Sequence, residues 1–195
     1  MKDIPKPTAE QVEKYLEQWN ALENYVDQEN SLDKLFFNLI PENKCIEDIL
    51  IKCSTLNDFY STNIFSIFPI AKHILQLNID ERLKNGDLTL IEDIADRNVI
   101  GRRKYSFASK YCSHHNPDQF PIYDNYVNKV LMHFKRVDKF AKFTNDDLQD
   151  YVKFKAILEE FKVFYSLEQY SLKELDKYLW LLRKKYFKKQ YRGNK

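Results

Sequence analysis

Three glycines and six prolines are all that a chain of 195 residues has here for tight turns and breaks. A protein built from many hairpins needs far more of both, so the scarcity points to helices. The apolar spacing agrees. After Thr8-Ala9-Glu10-Gln11, which has a capping-box pattern, Val12, Tyr15, Leu16, Trp19, Leu22 and Val26 recur at helical spacing. Ser31 is placed to cap a short helix carrying Leu32, Leu35, Phe36 and Leu39, stopped by Pro41. A third helix is expected from about Cys45 to Tyr60, and a fourth from Ile64 to Leu77, kinked or divided by Pro69. Asn85-Gly86-Asp87 reads as a turn, followed by a short helix from Leu88 to Ala95. Another helix runs from Asp124 to about Phe134. Two more follow, the last opened by Ser171-Leu172-Lys173-Glu174. No strand, repeat or domain linker is evident. The expectation is an all-α fold and a single helical domain over 1–195.

Composition narrows the function classes. Aromatic residues make up 15% of the chain, enough for a sizeable core. The formal net charge is only +2, so contact with a polyanion has to come from local patches. Cys45, Cys53 and Cys112 lack paired spacing and read as reduced thiols of a cytoplasmic protein. No apolar run is long enough to span a bilayer, and MKDIPKPTAE lacks a signal-peptide core. Cys112, His114 and His115 do not make a metal site, because adjacent helix positions diverge and no second ligand pair exists. No cofactor is expected, and a monomer is the expected state.

The segment IGRRKYSFASKYCSHHNPDQFPIYDNYV, Ile100 to Val127, carries the functional signal. It reads as a glycine-centred turn, a small-residue helix, a Pro-bracketed loop, and an acid, Asp124, opening the next helix. Asp124 could deprotonate or orient a water and stabilise developing positive charge. It also fits an ordinary N-cap, and the two roles are compatible. Arg102, Arg103 and Lys104 could neutralise phosphates with the Gly101 N–H alongside, or form a solvated turn. Lys110, among apolar and small residues, is suited to a nucleophile of lowered pKa or to pairing with Asp124 or another carboxylate. Trp180, Tyr165 and Tyr178 read as core rather than a base-stacking cage. The basic tail, about 183–195, could touch nucleic acid or simply be solvated.

This segment, from Asn85 to Val127, resembles the hairpin region of the helix-hairpin-helix DNA glycosylase superfamily, the endonuclease III and 8-oxoguanine glycosylase kind. Leu88 to Ala95 is similar to the first hairpin helix, Val99-Ile100-Gly101 to the hairpin tip, and Ser106 to His114 to the second helix. Pro121-Ile122-Tyr123-Asp124 is similar to the loop with its catalytic acid, and LNDFYSTNI to the helix end that probes the duplex. The resemblance implies double-stranded DNA as partner and a base-excision N-glycosylase acting on a flipped, damaged or modified base. It makes Asp124 the catalytic acid, has Gly101, Arg102 and Arg103 grip the backbone, and has Asn57, Tyr60, Ser61, Thr62 and Asn63 probe the duplex. Lys104 and Lys110 are the candidate Schiff-base lysines. The family's lysine position falls near Ser106, which favours a monofunctional enzyme using water. One of the two hairpin glycines is replaced by Val99, and no iron–sulfur cysteine cluster follows Cys112. The alternative is a catalytically silent nucleic-acid-binding or protein-interaction module. A nuclease with a carboxylate–lysine metal centre comes third.

Overall fold

Thr8 starts the first helix of the computed structural model, which describes residues 4–187. The Thr8 side chain accepts from the Gln11 N–H, and α1 runs Ala9–Asn20. The expected single helix through Val26 is broken, because Leu22 leaves helical geometry (φ −94, ψ 76) and its carbonyl starts α2, Glu23–Asp33. Both helices turn apolar residues to the same core, so the spacing runs on through the bend. Ser31 does not cap a helix. It sits inside α2, where its hydroxyl donates to the Asp27 carbonyl. The helix then widens into a π-helical stretch, Lys34–Leu39, where Phe36 is buried.

α3 spans Ile46–Phe59 and α4 spans Ile67–Leu77. Pro69 neither kinks nor divides α4. It lies in the first turn, where its missing N–H has no helical partner to lose. A short α5, Asp80–Lys84, precedes the Gly86 turn and was not evident in the sequence. Gly86 has φ +66, and a Cβ there would crowd the Gln119 side chain at 3.0 Å, so a side chain at this turn is strained. α6 (Leu90–Ile94), α7 (Arg97–Ile100) and α8 (Tyr105–His115) follow. The expected hairpin tip is therefore itself a helical turn, closed by Gly101 in the left-handed region at φ +77. α9 (Asn125–Asp138), α10 (Tyr151–Phe164) and α11 (Leu172–Tyr186) complete the helices. Ser171 caps α11 with both arms of a capping box.

No strand is present among the described residues, and the architecture is all-α. α11 packs against α1 and α9, α8 against α3 and α6, and α3 against α4. Val12, Ile49, Leu56, Tyr111, Val130, Phe154, Phe161 and Leu182 belong to one continuous core. Tyr165 and Tyr178 are part of it, as the sequence suggested. Cys53 and Cys112 are buried, Cys45 is half-buried, and all are free thiols. No described helix is long and apolar enough to cross a membrane. Residues 188–195, which hold most of the basic tail, lie outside the described residues.

Candidate active site

The chain has to bring Asp124 to a defined point, and buried polar contacts do so. Ser109, inside α8, both accepts from the Tyr123 N–H (3.0 Å) and donates to its carbonyl (3.2 Å). The Tyr151 hydroxyl donates to the Pro121 carbonyl at 2.7 Å. The loop from Pro117 to Tyr123 is thereby pinned to α8 and α10, and Asp124 emerges as the N-cap of α9. Its Oδ1 accepts from the Tyr126 and Val127 N–H groups at 2.7 and 2.9 Å. Its Oδ2 takes no hydrogen bond from the described residues and is left for another partner. The capping role weighed for Asp124 thus engages one oxygen only.

Asp124 opens into a cleft of about 1700 Å³ lined from α1, α2, α8, α9, α11 and the α3–α4 loop. The expected residues Tyr60, Ser61, Thr62, Asn63, Arg102, Arg103, Lys104 and Lys110 all reach this lining; Asn57 and Gly101 do not. Asn57 instead ties its own loop, accepting from Thr62 and the Ile64 N–H and donating to the Ile64 carbonyl. Gly101 is exposed at the end of α7, and a Cβ there would meet nothing. It is needed for its positive φ and not for lack of room. Arg103 forms a bidentate pair with Glu92 and donates to the Gln149 carbonyl at 2.7 Å, its guanidinium 4.2 Å from the Tyr105 ring centroid. It braces α6 against the start of α8. Arg102 is exposed, and Lys104 donates to the Asn63 carbonyl at 3.3 Å.

Lys110 is 4% exposed and makes no ion pair with Asp124 or another described carboxylate, contrary to the pairing that was one of its two expected roles. Its ammonium donates to the Ser106 hydroxyl at 2.7 Å and lies 5.2 Å from the centre of the Tyr60 ring. Burial pushes it below the usual lysine range, against the pull of the nearby Asp124 and Asp176 carboxylates. Tyr60 lines the cleft and is 36% exposed, and its hydroxyl meets His114 Nε2 at 2.9 Å. Burial, then the Lys173 charge, pushes His114 down to about 3, so it is neutral at physiological pH. His115 turns elsewhere, to Lys52 and Asn43. The neighbouring histidines thus serve different partners.

Asp176, on α11, is the cleft residue that the sequence reading missed. Burial and then the Asp124 charge push its carboxyl up to about 8. Between the ordinary carboxyl range and about 8 the folded protein holds a proton that the unfolded chain has released. This group's contribution to stability therefore falls as pH rises through that window and levels off above it. Asp176→Asn is expected to be more stable than wild type at pH 9 by about 1–2 kcal/mol, the open cleft screening part of the effect. The difference should shrink towards pH 5, and thermal melts across that range check it.

The cleft wall beside Asp176 is aromatic. Trp180 packs edge-on against Trp19, Tyr25 and Tyr126 with ring centroids 5.8, 5.1 and 6.1 Å away. Trp180 is half-buried, packed against the core and also lining the cleft. Glu29 of α2 accepts from the Trp19 indole and pairs with Lys173 (3.0 Å) and Lys177 (2.8 Å). Burial raises the Glu29 carboxyl, but the two lysines outweigh it and hold it below the ordinary range. A helical period through Lys173, Asp176, Trp180 and Arg183 was the available signal for this face. It reads as a solvated stripe until α2 and α9 are placed opposite.

Residues 11–119 match the HI_0787_N family, described as an N-terminal domain, and the chain belongs to that family. A Haemophilus influenzae protein (strain ATCC 51907 / DSM 11121 / KW20 / Rd), named only as an uncharacterized protein, is 50% identical over 147 residues, which are 74% of this chain and 70% of the relative. No solved structure matches the chain. The family match spans α1 to α8, hence Tyr60, Lys104, Lys110 and His114, and ends before Asp124 and Asp176.

Proposed function

We propose that this protein is a DNA N-glycosylase of the helix-hairpin-helix kind, acting on a flipped base with water as the nucleophile. The observation that carries the reading is Asp124: one oxygen holds the helix start, and the other opens, unpartnered by described residues, into a cleft shared with a buried lysine. The free oxygen takes a proton from water as that water attacks the sugar, and its charge stabilises the cation that forms. The cleft exceeds the ~300–1,000 Å³ of ordinary small-molecule pockets, which suits an extruded nucleotide with part of its strand. Arg102, Lys104 and Lys129 on its lining suit the phosphates. Phe65, 93% exposed beside the Asn63 turn, offers an apolar wedge for the gap left in the duplex.

The decisive experiment is a panel of duplexes carrying damaged or modified bases, scored for alkali-labile sites. Base release supports the reading. Salt-sensitive DNA binding with no release from any duplex would leave the binding module instead. Strand scission without alkali, trapped by borohydride, would show a lyase. Lys110 would then be the nucleophile to test, because its ammonium reaches back to Ser106, near where the resemblance places the family's lysine.

Binding has its own expected result. Replacing Arg102 and Lys104 together by Ala should flatten the dependence of log K on log salt by roughly two units, about 0.9 per lost phosphate contact. Arg103→Ala should change the slope little and lower stability instead, since its guanidinium is committed to Glu92 and the Gln149 carbonyl. Titrations of an abasic-analogue duplex at several salt concentrations check both.

A further inference from the structure

The cleft holds a second carboxyl that the water-activating role of Asp124 does not use. Asp176 projects from α11 between Lys173, one turn before it, and Trp180, one turn after it, and all of these line the cleft. Neither flanking lysine is spare, since Glu29 binds Lys173 and Lys177, and Asp33 binds Lys173 again. Asp176 takes no hydrogen bond from the described residues. The ionisable groups that surround it are Asp124 at the start of α9, Lys110 and His114 on α8, Tyr60 after α3, Glu29 and Asp33 on α2, and Lys173 and Lys177 on its own helix.

We propose that Asp176 is the acid of the reaction, giving its proton to the departing base while Asp124 takes one from water, and that the substrates are therefore neutral bases with a ring nitrogen or carbonyl free to accept it. This rests on the glycosylase reading. The C1′–N bond breaks with both electrons going to the base, and the Asp176 proton neutralises the charge gathering there. Water forms the new C1′–O bond, and its proton passes to Asp124 Oδ2. The net result is one proton moved from Asp176 to Asp124, which exchange with solvent reverses before the next turnover. The geometry suits this division. Asp124 keeps Oδ2 open to the cleft while backbone N–H groups hold Oδ1, and Asp176 lines the same cleft with no hydrogen bond from the described residues, its carboxyl raised by burial and the Asp124 charge. The aromatic wall around Trp180, one helical turn (~5.4 Å) from Asp176, gives the base an apolar boundary beside the acid.

A base alkylated to a cation already leaves readily and needs no acid, so it separates the two carboxyls. Single-turnover base release should be measured for wild type and Asp176→Asn on duplexes with a neutral damaged base and on duplexes with N7-methylguanine. On the neutral base Asp176→Asn is expected to lose about 10²–10⁴-fold with unchanged affinity for an abasic-analogue duplex. On the cationic base the loss should stay within about threefold, the acid's share of catalysis being absent there. Wild-type release of the neutral base should also decline as pH rises through about 8, a limb that Asp176→Asn lacks. Neutral-base release by Asp176→Asn at the wild-type rate, or an equal loss on both bases, would overturn the proposal and leave Asp124 standing. Absence of release by wild type would remove both. A melt of Asp176→Asn confirms that the variant is folded.

Discussion

Asp124→Asn is expected to stop base release, by about 10²–10⁴-fold for loss of a general base, while the protein melts within a degree or two of wild type. The amide oxygen can still accept from the Tyr126 and Val127 N–H groups, and Asn caps helices about as well as Asp. What it cannot do is accept a proton from water or oppose a developing cation. Asp124→Ala separates the roles further: it should lose the same activity and in addition about 1 kcal/mol of stability, the usual cost of removing a cap. An isosteric variant that is folded, binds DNA as tightly as wild type and is inert is the signature of chemistry at Oδ2. Asp124→Asn retaining full activity would reduce Asp124 to a cap. Single-turnover kinetics with parallel melts give both readouts.

That division within one side chain also marks how far the sequence could be read. Asp before NYVNKVL signals a helix start by itself, because a capping contact is local and its donors are the next residues along. The same holds for Ser171 with Glu174, and for the apolar stripes of α3 and α9, whose period alone defines a face. Boundaries fared less well where two elements share one core. The break at Leu22 lies between Tyr15 and Trp19 on one side and Leu32 on the other, all facing one core, so the apolar pattern held no trace of it. Ser31 offered a hydroxyl that fits a cap or a back-bond to Asp27 equally, and only the helix preceding it decides. In the cleft, Asp124, Lys110, Lys104 and the Tyr60 loop could be nominated because one chain segment and its resemblance grouped most of them. Arg103 and Asn57 could not be excluded, since their partners, Glu92 with Gln149 and the Ile64 backbone, depend on the fold. Asp176 was invisible for the same reason. A carboxyl among lysines on a helix looks solvated until Glu29 and Asp33 are seen to take those lysines away.

Asn43→Ala, far from Asp124 in sequence, is expected to cost about 3 kcal/mol, a large effect for a single substitution. Asn43 is 3% exposed, in the segment between the π-helical stretch and α3. Its Oδ1 accepts from both the Lys52 ammonium and the Tyr111 hydroxyl at 2.5 Å, and its Nδ2 donates to Asp80 at 2.6 Å. Lys52 is fully buried, and burial pushes its pKa down to about 8 even with the Asp80 charge opposing. With the amide gone, an ammonium and a phenol lose a shared acceptor in the protein interior, and the Glu42 carbonyl at 2.9 Å cannot serve both. Tyr111 stands one residue from Lys110 on α8 and packs on Phe36, which also touches His114, so the damage should reach the floor of the cleft. The charge explains most of the cost, and that gives the control. Adding Lys52→Met replaces the ammonium with an apolar chain of similar length. Asn43→Ala with Lys52→Met should recover at least half of the lost stability, since a buried charge without its partner costs more than no charge at all. Urea unfolding of wild type, both single variants and the double variant yields the coupling energy directly. Additive effects would mean that Lys52 keeps its solvation through the Ile40 and Glu42 carbonyls alone, and that Asn43 acts only through Asp80 and Tyr111.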